Sequence, residues 1–216
     1  MGRLMATGLL MMGMTEAGLA QDTTAIKLPP PEMAGGKPLM QALRERRSTR
    51  EFDSRALPPQ MLSNLLWAAN GVNRPDSGKR TAPSARDWRE IDVYVATAEG
   101  VFRYDPPTHA LQRVAAGDIR SQTGVQDFVE TAPVNLVYVA DLDRMSDAGA
   151  EQKARFSAAD AGFIAQNVYL FCASAGLATV VRGLFDHAVL AKALGLGSHQ
   201  RIILAQSVGY PAGSGQ

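Results

Sequence analysis

The stretch Arg44-Glu45-Arg46-Arg47-Ser48-Thr49-Arg50-Glu51-Phe52 decides how the rest of this chain is read. Upstream, Leu39, Met40 and Leu43 recur at helical spacing, which predicts a short helix from Pro38 to Arg47 ending in the basic cluster. If that helix continued, Arg46 and Arg50 would be like-charged neighbours one turn apart with Arg47 beside them, a mildly destabilising arrangement. A bound phosphate would turn the repulsion into charge-assisted hydrogen bonds, with the Ser48 hydroxyl as a further donor. The same residues also suit a solvated helix end neutralised by Glu45 and Glu51, and charge alone favours this second reading.

Working outward, residues 21–37 carry Pro29-Pro30-Pro31 and Gly35-Gly36, the signature of an extended arm. Beyond the basic cluster, Pro58-Pro59 opens a helix whose Leu62, Leu65, Leu66 and Ala69 share one face, with Gly71 as its stop. The polar, basic segment from Arg74 to Arg89 reads as a loop. Ile91 to Val95 alternates as a half-buried strand, Val101–Tyr104 and Leu111–Val114 form a hairpin around Asp105-Pro106-Pro107, and Val134 to Ala140 is β-branched and apolar enough for a central strand buried on both faces. The longest helix runs from Lys153 to Ala175. It is apolar almost all round (Phe156, Phe163, Ile164, Val168, Tyr169, Leu170, Phe171), so it belongs in the core or at a subunit interface, while Asp160, Gln166 and Asn167 argue against a membrane span. A strand over Ala178–Val181, a helix near His187–Leu194 and a strand over Arg201–Val208 complete an α+β order.

A chain of 216 residues, 46% hydrophobic and 20% charged, fits one soluble domain. A net charge of +1 gives no electrostatic reason for a nucleic acid or an anionic membrane as partner. Residues 1–20 read as a signal peptide: Arg3, an uncharged apolar run from Leu4 to Met14 too short to span a bilayer, then small residues at Gly18 and Ala20. That predicts an exported, periplasmic protein. The lone Cys172 reads as a small buried hydrophobe. His109, His187 and His199 have no metal-ligand spacing and read as surface or helix-end residues, so no metal is expected. Asp186-His187 lacks a nucleophile-elbow sequence, and Gly195-Leu196-Gly197 closes a helix instead of opening one after a strand.

With these elements in place, Arg46-Arg47-Ser48-Thr49-Arg50-Glu51-Phe52 resembles the Arg-x-Ser-x-Arg/Lys-x-Phe signature that opens the nitroreductase domain. Leu65-Leu66-Trp67-Ala68-Ala69 with Gly71, then Arg80-Thr81-Ala82-Pro83-Ser84-Ala85, is similar to the branch holding the flavin dehydrogenases that form thiazoles and oxazoles in peptides. Asp160 to Leu177 resembles the family's central helix, Ala178 to Asp186 its flavin-edge segment, and Val208-Gly209-Tyr210-Pro211 its last strand. The resemblance covers residues 38–211, leaves 212–216 as a tail, and implies a nitroreductase-like fold: a central, mostly antiparallel sheet flanked by helices, with a long buried central helix.

It also implies a homodimer binding FMN between its subunits, a small-molecule substrate, and NAD(P)H as donor, which an exported protein would seldom meet. By position, Arg46 and Ser48 would hold the ribityl phosphate, Arg47 would flank the ribityl chain, and Arg50 would lie beside flavin N1 and O2. Pro83, Ser84 and Ala85 would reach the flavin of the other subunit, Asp160 would join the cofactor site from the central helix, and Arg182 and Gly183 would present a main-chain N–H to N5. No catalytic side chain is implied, since the flavin does the chemistry. The chain departs from the family pattern in lacking a C-terminal Lys-x-Arg pair and the branch's catalytic Lys-Tyr pair. After Ala85 it reads Arg-Asp-Trp-Arg-Glu where the branch has a Gly- and Pro-containing turn. A flavin-binding or sensing protein without turnover is the alternative function.

Overall fold

The apolar run at Val134 lies mid-sheet, as its composition requires. The computed structural model describes residues 25–213; the signal-peptide reading of residues 1–20 lies outside them. In chain order the elements are β1 (Ile26–Lys27), α1 (Leu39–Glu45), β2 (Phe52–Asp53), α2 (Pro59–Asn70), β3 (Val72–Arg74), β4 (Lys79–Arg80), β5 (Ile91–Thr97), β6 (Gly100–Asp105), β7 (Ala110–Ala116), β8 (Val134–Asp141), α3 (Ala150–Ala175), β9 (Ala178–Arg182), α4 (His187–Ala193) and β10 (Gln200–Pro211). The main sheet runs β1-β7-β6-β5-β8-β10. The far edge of β10 is shared by β9 and β2, and every pairing is antiparallel.

Strand alternation sorts β8 into two cores. Val134, Leu136, Tyr138 and Ala140 pack with Leu65, Leu66, Ile164 and Val168 of α2 and α3. Val137 and Val139 point the other way, onto Leu190 and Leu194 at α4. β5 divides likewise, with Ile91, Val93 and Val95 on the first side and Tyr94 and Ala96 on the second.

At 26 residues α3 is about 39 Å long and begins three residues before the predicted start. It buries a single stripe: Ser157, Asp160, Ala161, Ile164, Ala165, Val168 and Cys172. In one chain its outer face is uncovered, with Phe163 47% exposed. The helix stops at Gly176, whose φ of +72° is a left-handed cap that glycine adopts without a Cβ clash.

Several local expectations change. The first helix ends at Glu45, not Arg47, because Ser48, Thr49 and the run of like charges are poor helix material. The arm contains β1, which no local signal announces; it forms because the edge of β7 offers it unpaired backbone groups. Arg74–Arg89 is a small β3–β4 hairpin followed by a tight turn. His109 is no surface residue. Its Nε2 lies 3.0 Å from the Pro29 carbonyl, its Nδ1 lies 2.8 Å from the Tyr104 hydroxyl, and Ser63 adds a third contact at 2.7 Å, so it clamps the arm to the sheet. Burial pushes its pKa down, which keeps the ring neutral. Cys172 is fully buried and its thiol is pushed far up, consistent with an unreactive core side chain.

Candidate functional site

Where α1 ends, Arg46 takes φ −55° and ψ 123° and the chain leaves the helix to run beside β9, with the Thr49 N–H donating to the Thr179 carbonyl at 2.9 Å. Two side chains of this segment converge on Tyr169 of α3. The Arg46 guanidinium lies 5.2 Å from the ring centroid, and the Ser48 hydroxyl is 2.8 Å from the Tyr169 hydroxyl, which also accepts the Val181 N–H at 2.9 Å. Tyr169 therefore ties the basic segment to β9. In the sequence Tyr169 reads only as part of an apolar helix.

The solvated-helix-end reading needs Glu45 and Glu51 to neutralise these arginines. Instead, Glu45 pairs with Lys37 at 2.7 Å and accepts from Gln41, with Arg44 a distant 3.9 Å away. Those contacts hold the Glu45 carboxyl below its usual pKa, Lys37 foremost. Among the described residues Arg46, Arg47 and Arg50 have no ion pair. Arg46, Arg47 and Thr49 line a cavity of about 500 Å³ with Lys37, Tyr169 and Thr179.

Nine residues earlier on α3, about 13.5 Å along its axis, Asp160 meets a different segment. Its Oδ2 accepts the Ala85 N–H at 2.8 Å. The turn that follows is strained, since Arg86, Asp87 and Arg89 have φ of 51°, 57° and 53°. Each such non-glycine residue costs about 1–3 kcal/mol and needs support from its surroundings. Support comes from Arg89 on Asp87 at 2.6 and 2.8 Å, Arg86 on Asp147 at 2.6 Å, and the Trp88 indole N–H on Asp147 at 2.8 Å. The turn thus adopts a left-handed backbone without glycine. Pro83, Ser84, Glu90 and Asp160 line a second cavity of about 320 Å³, together with Arg74, Lys79 and Arg80.

At the end of β9 the Arg182 side chain turns inward. It is 5% exposed, and its guanidinium donates to the Thr123 carbonyl and to Asn135 Oδ1 at 2.9 Å; burial lowers its pKa to about 10, so it stays charged at neutral pH. Gly183, next in the chain, is exposed. The fold also brings Asp141, Asp143 and His199 together with potential ligand atoms within 4.8 Å, which their spacing does not announce. Asp143 and His199 are exposed and Arg144 already sits 3.2 Å from Asp141, the pattern of a surface ion cluster.

Residues 43–210 match the nitroreductase family. The chain belongs to that family. It is 33% identical over 174 residues to the nitroreductase-like MJ1384 of Methanocaldococcus jannaschii, covering 76% of this chain and 86% of that protein. A crystallised nitroreductase-family protein of Ralstonia eutropha JMP134 is 47% identical, covers 95% of this chain and 96% of its own, and superposes with a TM-score of 0.84. The Escherichia coli microcin synthetase McbBCD complex shares the fold at 19% identity, with a TM-score of 0.69 over 94% of this chain and 84% of its own. A Desulfovibrio desulfuricans family member solved in complex with FMN does so at 22% identity, with a TM-score of 0.60 over 83% of this chain and 90% of its own.

Within this nitroreductase-family chain the sequence-derived site residues fall into three places. Arg46, Arg47, Ser48 and Arg50 form one segment beside β9; Arg182 and Gly183 end β9 itself; Pro83, Ser84, Ala85 and Asp160 gather around the other cavity. One chain does not bring the last group into the arginine cavity, the separation expected if that loop serves a neighbouring subunit. Among the described residues no helix is long and apolar enough to cross a membrane.

Proposed function

We propose that this chain is an FMN-dependent oxidoreductase that works as a homodimer and moves electrons between its flavin and a small organic substrate such as a nitro compound or a quinone. One observation carries the reading: among the described residues three neighbouring arginines have no ion-pair partner and two of them line a cavity, in a chain of a flavin-using fold. Clustered unpaired cations repel one another until an anion joins them, and a terminal phosphate with several acceptor oxygens fits that need. Arg46 and Ser48 are held on Tyr169, so their donors are pre-set and little entropy is lost on binding.

Bound FMN supplies the two-electron chemistry; the protein supplies binding, orientation and electrostatics. Arg46, Arg47 and Ser48 hold the phosphate. Arg50 stabilises the negative charge that reduction places at N1 and O2, and the main chain at Gly183 faces N5. The loop Pro83–Ala85 crosses to the flavin of the neighbouring subunit. Residues 1–20 support export to the periplasm, where a reductant or electron-transfer partner other than NAD(P)H would be needed.

The purified protein is expected to be yellow and to release FMN, not FAD, on denaturation; a colourless protein that cannot be reconstituted with FMN overturns the reading. Arg50→Ala should lower the two-electron potential by about 30 to 65 mV, the equivalent of one charge-assisted hydrogen bond. A dye-equilibrated redox titration checks this, and equal potentials would mean that Arg50 is not beside the ring. If dithionite-reduced protein is reoxidised by quinones or nitroaromatics no faster than free FMN, the chain binds flavin without turnover.

A further inference from the structure

Beneath the Ser84–Ala85 loop lie two carboxyl groups, Glu90 and the cofactor-site candidate Asp160, whose relation to each other the proposed function leaves unassigned. Glu90, at the foot of β5, is 0% exposed and Asp160 is 2% exposed. They face each other, and both line the smaller cavity. Each holds one end of the loop: Ser84 Oγ donates to Glu90 Oε2 at 3.3 Å while accepting the Arg89 N–H at 2.8 Å, and Asp160 Oδ2 accepts the Ala85 N–H. Glu90 Oε1, however, is buried with no hydrogen-bond donor among the described residues. Two carboxylates cannot bond to each other, and a buried charged oxygen without a donor is strongly disfavoured.

The surrounding cations do not remove the problem. Arg89 is committed to Asp87, Arg74 to the Asn73 side chain and the Arg80 carbonyl, and Lys79 is exposed. Arg80, half-buried, feels Asp92 as its main attraction. Asn70, from α2, spends its amide on the Ile91 carbonyl. A single proton between the two carboxyls supplies the missing donor and halves the buried charge.

We propose that Glu90 is a positioning residue: it shares one proton with Asp160, and that proton locks the Ser84–Ala85 loop in the form that meets the neighbouring subunit's flavin. The destination of the loop rests on the proposed function; the shared proton does not. Burial, then the Asp160 charge, pushes the Glu90 pKa up. A group whose folded pKa is raised contributes stability below its unfolded value, about 4.3, and loses it as pH climbs through the folded value. The loop should therefore loosen on the alkaline side.

The test compares the full-length protein with Glu90→Gln, whose amide donates to Asp160 without titrating. Infrared spectra at neutral pH should show a protonated carboxylic acid band in the wild type that is missing in Glu90→Gln. From neutral pH to about pH 9.5, a range that covers documented buried glutamates, wild-type FMN affinity should fall at least fivefold more than that of Glu90→Gln. The shared titrations of FMN itself cancel in this comparison. No acid band in the wild type, or parallel affinity profiles in the two proteins, overturns the proposal while leaving FMN binding intact. If neither protein binds FMN at any pH, the functional reading falls instead, and the infrared band still decides whether the proton is shared.

Discussion

Arg46→Ala is expected to weaken FMN binding by roughly 10- to 150-fold, the loss of one charge-assisted hydrogen bond of about 1.5 to 3 kcal/mol. The fold should survive, because among the described residues the half-buried Arg46 side chain is held by its contact with the Tyr169 ring, a cation–π interaction worth about 1 kcal/mol. Any flavin that remains bound should keep nearly its original potential, since the phosphate is far from the ring that accepts electrons. Fluorescence-quench titration of the apo protein gives the affinity, and the redox titration of Arg50→Ala serves as the counterpart. A change under twofold would leave the arginine segment without its assigned anion. Affinity and potential thus separate the two ends of the proposed site.

Phe163→Glu should convert the proposed homodimer to monomers and release its flavin in the same step. Phe163 stands on the uncovered face of α3, and on the neighbouring α1 Leu39, Met40 and Leu43 are 62%, 76% and 43% exposed. Apolar surface of this extent asks to be covered, and a two-fold interface would present each residue twice. An unpaired buried charge costs about 3 kcal/mol or more per copy, so two copies should raise the dimer dissociation constant by roughly four orders of magnitude. Sedimentation velocity with absorbance at the flavin wavelength reads both outcomes together. A flavin-loaded dimer in the variant would put the interface elsewhere, and a flavin-loaded monomer would end the shared-site reading.

The elements legible in the sequence are those whose signal is local and long. Helix α3, hairpin β6–β7 and strand β8 carry their periodicity within one window. The strands that escaped, β1, β2, β3 and β4, are two or three residues each: β1 and β2 exist because a distant edge offers them partners, and β3 and β4 pair only with each other in a hairpin too short to show a period. The site divides in the same way. Arg46, Arg47, Ser48 and Arg50 stand out as a contiguous motif, and the Pro83–Ala85 loop as a second one. Tyr169 and Glu90 do not: a tyrosine in an apolar helix reads as packing, and a glutamate between Arg89 and Ile91 reads as a solvated strand end. Their roles come from segments 121 positions away, for Tyr169 with Ser48, and 70 positions away, for Glu90 with Asp160. Arg182 was legible by place, while the buried network that absorbs its side chain was not.

Strand β10 gives its far edge to β9 and, at its last two residues, to β2, pairing Tyr210 with Asp53 and Pro211 with Phe52. Phe52 and Pro211 are 159 positions apart, so the segment carrying the arginines is framed by the longest-range strand pairing among the described residues. Loop closure on that scale is slow and is rewarded only when everything between has docked. A chain emerging from the ribosome therefore displays its arginines early but completes their cradle only when the residues around 210 arrive. Until then the segment is a polybasic stretch without its frame, and on the proposed function cofactor capture would have to wait for the C-terminal strand.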